Sequence, residues 1–143
     1  MASVFDVAKY ILEKYGAVSA MKLQKLVYYS QAWSLVWDDD PLFDEEIEAW
    51  ANGPVVRELY EKHRGIFKVH VDMMSGCSGN LTDNEKDTIN IVCDFYNKKN
   101  AQELSDMTHQ EGPWKDARFG LEERERGSRI ISKESMAEYY SSL

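Results

Sequence analysis

The stretch Ser19-Ala-Met-Lys-Leu-Gln-Lys-Leu-Val-Tyr-Tyr-Ser-Gln-Ala-Trp-Ser-Leu-Val-Trp37 decides the fold. Leu23, Leu26, Val27, Ser30, Trp33 and Trp37 recur at three- and four-residue steps, the period of a helix rather than of a strand. Ser19 is a good N-cap. Asp38-Asp39-Asp40-Pro41 closes the segment, because the residue before a proline is pushed out of helical geometry. Tyr28 and Tyr29 widen the apolar stripe beyond a single packed face, which places this helix near the centre of the fold.

Working outward, Ser3 with Asp6 caps an earlier helix whose Val4, Ala8, Ile11, Leu12 and Tyr15 share one face and whose left-handed stop is Gly16. On the other side, Leu42 to Trp50 changes period, with Phe43, Ile47 and Ala49 set among acidic residues. That pattern predicts a short extended or hairpin segment. Asn52-Gly53-Pro54 reads as a helix start, since proline at the first helical position loses no hydrogen bond. The helix would carry Val55, Val56, Leu59 and Tyr60 and stop at Gly65. Ile66 to Val71 alternates like a brief strand, a candidate partner for Phe43 to Trp50, and Ser75 to Asn80 is expected to be a flexible loop tolerant of insertion.

Thr82 with Glu85 is a capping box, followed by Ile89, Val92, Phe95, Tyr96 and Lys99 on one helical face. Asn100 with Glu103 caps a shorter helix bearing Leu104 and Met107. Gly112-Pro113-Trp114 repeats the Gly-Pro opening of Gly53-Pro54. Glu122 to Arg129, with Gly120 and Gly127 lending freedom to the chain, reads as an exposed loop, and Ser132 opens a last helix with Met136, Tyr139 and Tyr140. The expected fold is mainly α: a compact helical domain of about five to seven helices with at most a small β-hairpin, residues 1–143 forming a single domain.

Composition narrows the function classes. The 43% hydrophobic content, with four Trp, eight Tyr and five Phe, supports a packed core, and a mean hydropathy of −0.53 leaves a well-solvated exterior. Seventeen Lys and Arg against 25 Asp and Glu give a net charge of −8, the wrong sign for a phosphate-binding surface. Lys9, Lys14, Lys22 and Lys25 are the only run that could form a basic stripe. No nucleic acid is expected, and an acidic balance instead favours a basic protein partner. Neither a signal peptide nor a membrane span is evident, and Cys77 and Cys93 form no C-x-x-C pair. A reduced, cytoplasmic setting and no membrane association are therefore expected.

Catalytic inventory is thin. The three histidines are His63, His70 and His109, and a Cys77–His70 pair has no positive neighbour to lower the thiol pKa. No zinc spacing occurs, His63 and His70 across Gly65 reading as surface residues. The acidic run Asp38 to Glu48 lacks the D-x-D-x-D-G calcium loop and reads as a solvated turn. Phosphate-cradling glycine loops are missing as well. No cofactor, no metal and no catalytic residue is assigned.

Three stretches in order carry a resemblance: Met21-Lys-Leu-Gln-Lys-Leu-Val-Tyr-Tyr-Ser-Gln-Ala-Trp33, Glu48-Ala-Trp-Ala-Asn-Gly-Pro-Val-Val-Arg-Glu-Leu-Tyr60 and Thr108-His-Gln-Glu-Gly-Pro-Trp-Lys-Asp-Ala117. Together they resemble the SocA-like Panacea antitoxin domain, including its phage-associated, GepA-like members, over residues 4–118, with 119–143 as a C-terminal extension. The resemblance implies a bacterial, mainly helical antitoxin that neutralises a cognate toxin encoded by the adjacent gene, with very different toxins served by one scaffold. Its motif positions here are Lys22, Leu23, Lys25, Leu26, Tyr28, Trp50, Gly53, Pro54, Tyr60, Thr108, His109, Glu111, Pro113 and Trp114.

Leu23, Leu26 and Tyr28 fit a buried stripe, and Trp50 and Trp114 fit anchors whose indole N–H seeks a carbonyl. Thr108 is expected to cap the Pro113 turn, with His109 and Glu111 pairing to order it. Two functions compete. A toxin-binding protein would use Phe119, Arg124, Arg126, Arg129, Tyr139 and Tyr140, since Arg and Tyr are enriched at binding hot spots, although both tyrosines would equally dock the last helix. A small-ligand protein or enzyme would use His109 and Glu111 with a lysine such as Lys25.

Overall fold

The computed structural model describes all 143 residues and contains seven α-helices. They are α1 (Val4–Tyr15), α2 (Ala20–Trp37), α3 (Arg57–His63), α4 (Asp83–Tyr96), α5 (Ala101–His109), α6 (Gly112–Ala117) and α7 (Lys133–Ser141). The strands are short: β1 (Val18–Ser19), β2 (Ile47–Trp50), β3 (Gly53–Val56), β4 (Lys68–Val69) and β5 (Ile130–Ile131). The fold is mainly α, as the periodicity predicts. Local chemistry sets the helix starts. Ser3 with Asp6, Thr82 with Glu85 and Asn100 with Glu103 each form a reciprocal capping box, while Ser19 and Ser132 accept from the backbone N–H of Lys22 and Ser135.

Helix α2 is the axis of the molecule. Twelve of its 18 residues are buried, so it is enclosed on nearly every side, and its closest neighbours are α4, α7 and β3. The core is one cluster of 31 buried residues drawn from all seven helices and from the strands and loops between them, with Leu23, Leu26, Tyr28 and Tyr29 of α2 among its fully buried members. Each such side chain contributes roughly 1.5 to 3 kcal/mol on leaving water. On α4 the buried face is Ile89, Val92, Cys93 and Tyr96, whereas Phe95 is 62% exposed. Cys93 takes the inward place that the sequence reading gave to Phe95, which lies two positions further round the helix.

The β structure corrects the sequence reading at Gly53-Pro54. This pair starts strand β3, not a helix, and pairs antiparallel with β2 in the register Ile47↔Val56 to Trp50↔Gly53. Proline is tolerated because β3 is the outer strand of the order β3-β2-β5. Helix α3 begins only at Arg57. The Gly-Pro repeat is thus a likeness of letters, since Gly112-Pro113 does open α6. Phe43–Trp50 and Phe67–Val71 do not pair: β4 joins β1, and β2 recruits β5 near the C-terminus.

The Ser75–Asn80 segment is also pinned rather than free. Asp6 accepts from the backbone N–H of Cys77 at 2.8 Å and from Asn80 Nδ2 at 3.3 Å. Gly76 lies so close to the α1 backbone that an added Cβ would stand 2.1 Å from the Phe5 carbonyl oxygen. An insertion expected to be harmless would break these contacts.

Candidate functional site

Two glutamines, seven residues apart on α2, prepare the ground for the site. Gln24 accepts from Val56 N–H at 2.9 Å and donates to Val56 C=O at 3.2 Å, so its amide behaves as a strand residue on the free edge of β3. Gln31 does the same for the irregular chain at Leu42 and Phe43, at 2.7 and 2.9 Å. Such edges otherwise invite non-native pairing. The second N–H of Gln24 reaches His63 Nε2 at 3.0 Å, which requires that nitrogen to accept and the ring to be neutral. Burial and the nearby Lys25 charge hold its pKa below the usual value. The surface role expected for His63 is corrected: it is buried, while His70 is exposed.

Lys25, one residue on, is fully buried with a single acceptor, Pro54 C=O at 3.4 Å. Burial depresses its pKa to about 8. Gly53 is shaped around it: with φ +127° and an added Cβ only 2.6 Å from Lys25 Cε and 3.1 Å from Thr108 Oγ1, no other residue fits without displacement. Lys22 points the other way and donates to Asn97 C=O at 2.8 Å, holding the end of α4.

The α5–α6 corner grips the β2–β3 turn through its carbonyls. Ser105 Oγ donates to Asn52 C=O at 2.6 Å, Trp114 Nε1 to Trp50 C=O at 2.8 Å and Arg118 to Ala49 C=O at 3.0 Å. Trp114 is buried and Trp50 half-buried, its ring edge-on to Tyr60 at 4.9 Å. The indole-to-carbonyl bond expected of these tryptophans is made by Trp114; Trp50 donates to the Glu48 carboxylate. Pro113 is buried in the first turn of α6.

His109 and Glu111 do not pair, which corrects the expected ordering of the turn. His109 stacks flat on Trp114, with centroids 4.0 Å apart and planes 13° off parallel. Its Nε2 is buried without a partner, and burial with the Lys25 charge lowers its pKa. Glu111 Oε1 instead accepts from Tyr29 and Tyr140, both at 2.7 Å, and Tyr140 meets Tyr28 at 3.0 Å. Burial, partly offset by these hydroxyls, holds the Glu111 carboxyl above the usual range. Thr108 donates to Ser105 C=O at 2.7 Å inside α5, and so does not cap the Pro113 turn. Residues from all three stretches meet where Gly53 closes on Lys25 and Thr108.

The SocA-like Panacea antitoxin family matches residues 23–115, an interval that begins at Leu23 of α2 and ends beside Trp114. The chain belongs to this family. Its antitoxin-like character follows from that membership. Neither the curated proteins nor the solved structures give a match. Within the Panacea domain the three motifs fall on α2, the β2–β3 hairpin with α3, and the α5–α6 corner, which pack together in this chain.

The side chains expected to meet a partner fall into two groups. Phe119 is 84% exposed, and Arg124, Arg126 and Arg129 are exposed on the segment after α6. Tyr140 is fully buried and docks α7, while Tyr139 is half-buried against Gly112. Arg118 escaped the sequence reading. Buried with its guanidinium 5.2 Å over Trp114, it donates to the carbonyls of Ala49, Glu122 and Glu125 and so moulds the exposed segment. Arg129 adds a bond to Phe119 C=O. Gln24, Lys25 and Gln31 carried a signal that was available: polar residues recurring on the inward face of the most apolar helix. No helix is long and apolar enough to cross a membrane, and no group of three His, Cys, Asp or Glu side chains is placed to hold a metal ion.

Proposed function

We propose that this chain, acting as a single domain, neutralises a toxin encoded by the adjacent gene by binding it directly in the bacterial cytoplasm, without chemistry of its own. Membership of the antitoxin family over residues 23–115 is the observation that carries this reading. The packing supports it. Two of the three polar motif residues that would have to assemble a catalytic centre are already engaged, Glu111 by two tyrosines and Lys25 by a backbone carbonyl, while the third, His109, is stacked on Trp114. The exposed segment from Phe119 to Arg129 offers an aromatic ring and arginines on a rigid mount, the composition of binding hot spots. An interface of ordinary size would cover about 800 Å² of each partner.

Co-expression tests this. The neighbouring gene product expressed alone should arrest growth, and this chain should restore growth and co-purify with it in a fixed ratio. Arrest that persists in the presence of folded protein at equal level defeats the proposal.

A further inference from the structure

A cleft of about 610 Å³ lies between α3 and the segment after α6, floored by the β2–β3 turn. Arg57 at the start of α3 and Arg64 at its C-cap line it together with Arg126, and Glu61 is the only carboxylate of the lining. On a protein with 25 acidic residues and net charge −8, three arginines around one cleft are a local reversal of sign. Their states differ. Arg57 is bound bidentately by Glu48 at 2.8 and 3.0 Å and lies 5.4 Å over the Trp50 ring. This is the one ion pair of the chain. The side chains of Arg64 and Arg126 donate to no group of the protein, so two guanidinium forks are left unpaired at the cleft.

We infer that this cleft receives an acidic side chain, Asp or Glu, presented by the partner protein and clamped between Arg64 and Arg126. The inference rests on the proposed function and names the chemistry of the partner at this place. A carboxylate matches the planar fork of arginine bidentately, and the opposite charge of the cleft would steer its approach. A nucleotide fits less well. Arg57 lies over the Trp50 ring and Tyr60 abuts it edge-on, so a nucleobase would have to compete with them for that ring. α3 runs along the cleft from Arg57 in its first turn to Arg64 at its C-cap, so the helix dipole does not choose between a carboxylate and a phosphate, and that choice falls to titration with each.

The test uses the full chain and a defined probe. N-acetyl-tetraglutamate amide, titrated to millimolar concentration, should shift the arginine Nε–H resonances of Arg64 and Arg126 and the backbone signals of Asn52 and Ser128. N-acetyl-tetralysine amide should not. The R64A/R126A variant, which removes no internal bond, should keep the wild-type melting temperature and lose the shifts. It should also bind the neighbouring gene product at least tenfold more weakly than wild type. No localised shift with tetraglutamate, shifts with inorganic phosphate alone, or an unchanged affinity of the double variant each overturns the inference. Wild type that fails to capture the neighbour's product, with the tetraglutamate shifts intact, would instead strike the proposed function.

Discussion

Lys25 stands where a cation is costly: fully buried, with one long bond to a carbonyl and no carboxylate. Its folded pKa of about 8 lies below the ordinary 10.5. Between those values the unfolded chain holds the proton that the folded chain has lost, so stability rises with pH across this window; below about 8 both states are protonated and the whole penalty is present. K25M keeps the aliphatic stem and removes the charge. It should gain up to about 3 kcal/mol at pH 7, and its advantage over wild type should close as pH climbs from 8 to 10.5. Parallel urea unfolding at a series of pH values checks this, and a constant difference would refute it. Glu111 is the acidic counterpart. Its raised pKa means that ionisation costs stability above the ordinary carboxyl range, yet its oxygen satisfies two buried hydroxyls. E111Q should therefore be tolerated within about 1 kcal/mol, while E111A should lose about 1 to 3 kcal/mol by stranding Tyr29 and Tyr140. Equal unfolding midpoints for the two variants would contradict the network.

Among the elements, what was legible in the sequence was what local chemistry decides. Capping boxes at Ser3, Thr82 and Asn100 and the period of α2 mark helices whose causes lie within four residues. The misread elements are those decided by distant partners. Gly53-Pro54 carries a helix-start signal, but Gln24 and Lys25, nearly thirty positions upstream, hold the free edge of β3 and keep it extended. The Ser75–Asn80 segment looks free until Asp6 closes on Cys77 and Asn80. The site was legible in the same measure: the motif residues were named, but their pairing was not, since Glu111 meets Tyr29 and Tyr140 rather than His109. Arg118 was invisible because an arginine bound only to carbonyls has no sequence partner to announce it. At this scale R118A should release residues 119–129. Amide hydrogen exchange there should accelerate at least tenfold while α2 and α4 keep their protection, and unchanged exchange would show that the segment is held by something else.

For the molecule as a whole, the interior and the exterior divide the work. The family motifs interlock α2, the hairpin and the α5–α6 corner, which leaves one scaffold able to carry varied surfaces. The chain is acidic overall, while the arginine-lined cleft and the Phe119–Arg129 segment beside it share Arg126. The central claim is that this exterior acts by stoichiometric binding, and the most direct measurement is light scattering on the purified chain mixed with the purified product of the adjacent gene. A complex of defined mass, with the toxic activity of that product lost at the same molar ratio, is the result expected here. Two components that elute separately, with the toxic activity undiminished at molar excess of this chain, would contradict it.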